Sequence, residues 1–163
     1  MVVPRRLFPA LLAVLAVLLA GCGSGAPPTV TFTVSGQERT TGPTQYCDLK
    51  LTDCSADANA EVHLPVPAGM PVHIAVPEEL SSAPWHVVFS YHGPDDQKVD
   101  GRSPVFAPNT QRDYTLVLPD AADTLLTAQV QQFGPAPVAN EQTGEIEFPV
   151  RGSWVLVAAQ QPL

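Results

Sequence analysis

Basic side chains are scarce in this sequence. Its 163 residues include 8 lysines and arginines against 16 aspartates and glutamates, a formal net charge of −8 at pH 7. Nucleic acids and anionic membrane surfaces are bound through clusters of positive charge. The composition therefore argues against nucleic acid and against anionic membrane surfaces as partners.

A long hydrophobic run is also lacking. The apolar stretch at residues 7–20 covers 14 positions, whereas a helix that crosses a hydrocarbon core needs roughly 20. Arg5 and Arg6 precede this stretch, small residues close it, and nothing basic follows directly. This layout is typical of a secretory signal peptide, and a transmembrane anchor is the weaker alternative.

The tetrapeptide Leu19-Ala20-Gly21-Cys22 resembles the lipobox of bacterial lipoproteins. The resemblance implies a diacylglycerol on the sulfur of Cys22 and cleavage just before it; an ordinary signal peptide with a chance cysteine is the alternative. We therefore predict a signal peptide at residues 1–21, a Gly/Ser/Pro tether at 22–28, and a lipid-anchored protein on the extracytoplasmic face of the cell membrane. Without the leader the net charge is −10.

Cysteine is rare, with three in the chain. If Cys22 carries lipid, Cys47 and Cys54 remain as an even pair in an exported protein, where a disulfide is the usual outcome. A redox pair or half of a metal site is the alternative, although a CxxC spacing would favour those more. We predict a Cys47–Cys54 disulfide.

No cysteine or histidine follows His92, which argues against a blue-copper site, since its ligands cluster near the chain end. His63, His73, His86 and His92 all fall on the outward side of their predicted strands. The weak metal candidates are His73, His86 and Met70, which would require the strands of the two histidines to pair. We expect histidines on exposed strand faces and no resident metal.

Catalytic motifs are absent as well. The sequence contains no G-x-S-x-G, no HExxH, no P-loop and no dinucleotide fingerprint. No catalytic residue and no cofactor are predicted, and we expect a protein that is not an enzyme. An envelope hydrolase is the less favoured alternative, because a small β-sandwich can host an active site.

Short alternating segments dominate what is present. "TVTFTVS", "EVHLPV", "PVHIAVP", "WHVVFSYH", "RDYTLVLP", "LLTAQVQQF", "EIEFPV" and "GSWVLVAAQ" are typical of strands bounded by turn residues. Helical signals are limited to "PEELSS" and to "PDAADTLL", which predicts a short helix or a turn. The pattern predicts one antiparallel β-sandwich over residues 29–160, immunoglobulin-like in topology, with a cupredoxin-like barrel as the alternative.

Several segments resemble an uncharacterised family of actinobacterial lipoproteins, catalogued as domain of unknown function 2771. They are "LPVPAGMPVHIAVPEELSSAPWHVVFSYHG", "GRSPVFAP", "DYTLVLPD", "VQQFG" and "GSWVLVA". The similarity runs from about Thr29 to Ala159. It implies one compact domain in the cell envelope, and it implies no activity and no site residue.

The segment "DGRSPVFAPNTQRDY" contains Arg102 and Phe106. Arginine and aromatic side chains are enriched at binding hot spots, so these two residues are our candidate recognition patch. The plainer alternative is that Arg102 pairs with Asp100 or Asp113 while Phe106 fills the core.

The sequence as a whole favours a non-catalytic binding or interaction module of the cell envelope. Its expected partners are the membrane, through the anchor at Cys22, and an envelope protein or cell-wall polymer. A carrier of copper or zinc, or of a small apolar ligand, is the alternative function.

Overall fold

The structure, a computed structural model, describes residues 25–139 and 142–159. The predicted leader and Cys22 lie outside these residues. The helical segments are α1 (Glu78–Ser81) and a 3-10 turn (Ala58–Ala60). The strands are β1 (Val30–Val34), β2 (Gln37–Thr41), β3 (Gln45–Cys47), β4 (Cys54–Ala56), β5 (Val62–Pro65), β6 (Val72–Ala75), β7 (Trp85–His92), β8 (Lys98–Arg102), β9 (Asp113–Leu116), β10 (Thr124–Phe133), β11 (Val138–Ala139), β12 (Ile146–Glu147) and β13 (Val150–Ala159).

Two sheets enclose a shared hydrophobic core, which confirms the predicted all-β sandwich. The first sheet has the strand order β2-β1-β6-β9. The second has the order β4-β3-β13-β10-β7-β8, with β5 also paired to β13. Strands β11 and β12 form a separate hairpin. In the described part of the chain no helix is long and apolar enough to span a bilayer.

The core forms from the inward side chains of both sheets. Phe32 and Ile74 of the first sheet are fully buried, as are Trp85, Val130 and Trp154 of the second. Strand side chains alternate between the two faces, so each strand supplies every second residue to the interior. Burying a side chain of this size contributes about 1.5–3 kcal/mol.

One pair of strands departs from the predicted antiparallel pattern. Strand β5 lies parallel to β13, with Leu156 opposite Val62 and Ala159 opposite Pro65. The first half of the same edge of β13 is occupied by the short strand β3. Because β13 has ten residues and β3 has three, the second half of that edge stays open for β5.

The alternation of apolar residues missed several strands. The segments "QERTT" of β2 and "KVDGR" of β8 lack that alternation, yet both pair along their full length with a neighbour. A two-residue turn joins β1 to β2, and both Ser35 (φ 48°) and Gly36 (φ 79°) have positive φ. Turns of this kind match the twist of a hairpin. Local turn geometry therefore forms β2 without an apolar pattern.

The two predicted helical segments have different outcomes. "PEELSS" forms α1, with Glu78 and Glu79 in its first turn, as predicted. "PDAADTLL" begins with a turn, in which the N–H of Asp123 donates to the carbonyl of Asp120, and continues as strand β10 from Thr124. The turn alternative is therefore the correct one for that segment.

Candidate binding surface

The structure separates the candidate metal ligands. His73 lies on β6 of the first sheet, where its Nδ1 is 3.2 Å from the hydroxyl of Thr115. His86 lies on β7 of the second sheet, and β6 pairs with β1 and β9 rather than with β7. Met70 precedes β6 in a turn. Across residues 25–139 and 142–159, no group of three or more His, Cys, Asp or Glu residues could hold a metal ion.

His86 is buried, which corrects the expectation of an exposed histidine. Its Nε2 lies 2.9 Å from Oε1 of Gln131, and its ring centroid is 4.8 Å from that of Phe133. The amide oxygen accepts this hydrogen bond, and within the described part of the chain the buried Nδ1 has no hydrogen-bond partner. The alternation of side chains along β7 is as predicted, but side chains of the adjacent β10 cover His86. Strand alternation alone does not show such cover.

Phe106 is partly buried and packs against the core, in agreement with the plainer alternative. Its ring centroid is 4.6 Å from that of Trp85 and 5.5 Å from that of Tyr114. Arg102 pairs in register with Val88, three residues further along β7 than Trp85 and therefore on the opposite face. The structure does not combine Arg102 and Phe106 into one patch.

Arg102 forms neither of the two ion pairs expected in that alternative. Asp100 is instead paired with Lys98, with Nζ and Oδ1 3.6 Å apart. Asp113 lies in β9 of the first sheet, opposite Ala75. Among the described residues, the exposed guanidinium of Arg102 has no ion-pair partner.

Arg102 lines an open depression of about 590 Å³ on the outer face of the second sheet. We call it the outer-face depression. The hydroxyls of Ser90 and Thr127 on its floor are 2.9 Å apart and hydrogen-bonded. Its lining residues come from β7, β8 and β10: Val88, Phe89, Ser90, Lys98, Asp100, Gly101, Arg102, Thr127 and Gln129.

The lining supplies one unpaired cation, a Lys–Asp pair, two hydroxyls and the amide of Gln129. These groups bind by hydrogen bonds and charge, and no nucleophile with an adjacent general base is among them. Ser90, Thr127 and Gln129 were missed as candidates, although the alternation in "LLTAQVQQF" and "WHVVFSYH" places them on the outer face. The sequence did not show that β8 pairs with β7 next to these three residues.

The predicted disulfide joins Cys47 to Cys54. The guanidinium of Arg151 lies 4.6 Å from the ring centroid of Tyr46, and its Nε donates to the carbonyl of Cys47 at 3.0 Å. In the loop between the cysteines, the N–H groups of Thr52 and Asp53 donate to Oδ1 of Asp48. These hydrogen bonds, that from Thr52 first, hold the pKa of Asp48 below its ordinary value of 3.8.

The start of the described chain lies against this loop. Indole Nε1 of the buried Trp154 donates to the carbonyl of Pro28 at 2.8 Å. Gly25, Ala26 and Pro27 line a depression of about 550 Å³ together with Tyr46, Cys47, Asp48, Leu49, Asp53, Ser55 and Arg151. Within the predicted tether, Pro28 therefore contacts the sandwich, and residues 25–27 line a depression of its surface.

A third depression is almost wholly apolar. It measures about 360 Å³ and is lined by Pro84, Val105, Phe133 and Phe148. The rings of Phe133 and Phe148 meet edge to face, with centroids 6.4 Å apart. It lies where β10 ends, since the N–H of Phe133 donates to the carbonyl of Pro84.

Comparison with known proteins places the chain among mycobacterial relatives. Uncharacterised proteins of Mycobacterium bovis and Mycobacterium tuberculosis are 28% identical to it over 155 residues, which cover 90% of this chain and 91% of each relative. No solved structure matches the chain. The model of the family described as "Protein of unknown function (DUF2771)" matches residues 24–159, and the chain belongs to that family.

Proposed function

We propose that this protein is an exported, lipid-anchored binding module of the cell envelope, and that it acts without catalysis. Its anchor is Cys22, and its working surface is the outer-face depression. Two features support export: the lipobox-like tetrapeptide ending at Cys22, and the Cys47–Cys54 disulfide, since disulfides persist in oxidising compartments outside the cytoplasm.

The unpaired guanidinium of Arg102 is the observation on which the binding role rests. In a domain of net charge −10 after loss of the leader, an arginine with no carboxylate partner among the described residues lies beside hydroxyl and amide groups in a concave surface. Arginine binds carboxylates and phosphates in a bidentate manner. The surface therefore suits an acidic group of an envelope protein or of a cell-wall polymer.

Photo-crosslinking in living cells tests this proposal. A photoreactive amino acid at Gln129, inside the outer-face depression, is expected to give a crosslinked product that Arg102→Ala reduces at least tenfold. Arg39→Ala is the matched control, because Arg39 is an exposed arginine on β2 of the other sheet. A photoreactive group at Thr33, on β1 of that sheet, reports background.

The anchor is tested separately by fractionation. Cys22→Ala is expected to move the protein from the membrane fraction to the soluble exported fraction. Retention in the membrane would refute lipid anchoring at Cys22. A crosslinked product that is equally strong in Arg102→Ala and Arg39→Ala would refute the outer-face depression as the binding surface.

A further inference from the structure

The chain leaves the predicted anchor by a very short route. Only Gly23 and Ser24 separate Cys22 from Gly25, which already lines a depression of the sandwich. An extended chain covers at most about 3.6 Å per residue, so the anchor lies within roughly 11 Å of that depression. One end of the sandwich is therefore held close to whatever holds Cys22.

That end carries most of the exposed apolar side chains. The exposed fractions are 64% for Leu49, 57% for Val105 and 54% for Phe148. The described residues include seven exposed large apolar side chains. Five of them lie on this end or on the β11–β12 hairpin attached to it. The other two, Met70 and Val117, lie at the opposite end.

These side chains are connected through Gly134. Leu51 of the disulfide loop and Pro149 both approach the position that a Cβ of Gly134 would occupy, at 3.2 Å and 3.4 Å. The N–H of Gly134 also donates to the carbonyl of Pro149. The disulfide loop, with Leu49, therefore continues into the apolar depression that contains Phe148. We call this continuous surface the apolar end.

We infer that the apolar end rests on the bilayer to which Cys22 is anchored. This inference depends on the proposed anchoring, because the argument for a bilayer, rather than another apolar partner, is the shortness of the chain between Cys22 and Gly25. A lipid anchor makes the contact intramolecular and so raises the effective concentration of the bilayer. A few exposed apolar side chains then suffice for contact.

One acidic loop lies far from the apolar end, whereas Asp48 and Asp53 belong to its disulfide loop. Strand β7 runs from Trp85 at the apolar end to His92, a rise of about 23 Å. The loop after His92 contains Asp95 and Asp96, so these carboxylates are held away from an anionic surface. Val88 lies three residues along the same strand, which places the outer-face depression about 10 Å from the apolar end and leaves it open to the side.

Depth-dependent fluorescence quenching in vesicles tests the inference. The lipidated protein is purified from its own membranes and reconstituted in phosphatidylcholine vesicles that contain brominated lipid. Three variants carry a reporter: Leu49→Trp, Phe148→Trp and, as the matched control, Val117→Trp. Val117 is 63% exposed, close to Leu49, but lies at the opposite end. The native Trp85 and Trp154 are fully buried and give a constant background.

We expect quenching in Leu49→Trp and Phe148→Trp to exceed that in Val117→Trp at least threefold. Equal quenching in all three variants, with the protein still bound to the vesicles, would overturn the inference and leave the anchoring intact. If the wild-type protein leaves the vesicles to the same extent as Cys22→Ala, the anchoring is refuted instead.

A small apolar ligand in the apolar depression that contains Phe148 is the competing occupant. It would shift the emission of Phe148→Trp to the blue equally in the vesicle-bound protein and in the soluble Cys22→Ala background. That result would overturn the bilayer contact. A blue shift that needs both vesicles and Cys22 supports it.

Discussion

At the scale of single residues, Gln132 is an unusual choice for a core position. It lies on β10, is fully buried and contacts α1. Its Nε2 donates to the carbonyls of Glu79 and Leu80 at 3.2 Å and 2.7 Å, and its Oε1 accepts from Arg151 at 3.3 Å. One amide thereby satisfies carbonyls of a four-residue helix that has few internal hydrogen bonds of its own.

We predict that Gln132→Leu lowers the free energy of unfolding by about 1–3 kcal/mol, because buried polar groups would lose their partners. Urea unfolding of the exported domain measures the change. Gln129→Leu is the control: Gln129 lies on the same strand in the outer-face depression, and its replacement is expected to change stability by less than about 0.5 kcal/mol. Equal losses in the two variants would contradict the role given to Gln132.

At the scale of elements, β8 is held to β7 by an aromatic ring that covers a glycine. Gly101 lies opposite Phe89, and a Cβ at Gly101 would come within 2.6 Å of two atoms of that ring. Phe89 in turn packs against the core. Close contact between Gly101 and the ring of Phe89 therefore helps to position β8, the strand that carries Arg102.

We predict that Gly101→Ala lowers stability by about 1–3 kcal/mol through overpacking. Adding Phe89→Leu should relieve part of that loss, giving a double-mutant coupling energy of at least about 0.5 kcal/mol. Gly42→Ala is the control, since no atom of the described residues, its two chain neighbours apart, lies within 4 Å of its would-be Cβ. Strict additivity of Gly101→Ala and Phe89→Leu in chemical unfolding would show that the ring does not determine the cost.

At the scale of the whole molecule, the disulfide fixes the loop that forms part of the apolar end. It joins β3 to β4 and encloses Asp48, Leu49 and Leu51. Without the bridge the unfolded chain would have more freedom, and the loop would lose the restraint that brings Leu51 to Gly134. The bridge therefore affects both global stability and the shape of the apolar end.

We predict that Cys47→Ser combined with Cys54→Ser lowers the free energy of unfolding by about 2–3 kcal/mol, the value expected for a short closed loop. Unfolding of the wild-type domain in a reductant should show the same loss, and the double variant should not respond to reductant. An unchanged unfolding midpoint in the double variant would contradict a stabilising role for the bridge.

Much of the fold followed from local patterns. The alternation in "TVTFTVS" or "GSWVLVAAQ" needs only a half-buried strand, and β1 and β13 occupy those segments. The pairing of β5 with β13 and the formation of β8 could not be predicted in this way. They depend on which edge of a distant strand remains open, and no local residue pattern encodes that.

The candidate site shows the same division. Arg102 stood out in the sequence because basic residues are few, and the cysteine pair because the count was even. The burial of His86 and the separation of Phe106 from Arg102 were decided by β10 and by the core, because those neighbours are far away in the chain.

The sequence by itself determined the all-β class, the Cys47–Cys54 pair and the family, because each follows from residue type and short-range spacing. The tertiary structure alone decided that β7, β8 and β10 enclose the outer-face depression, and that Gly25 lines a depression with Leu49 at the end of the sandwich where Val105 and Phe148 are also exposed. The first surface combines segments up to 41 residues apart and the second combines segments up to 99 residues apart, and only the tertiary packing of the strands brings such segments together.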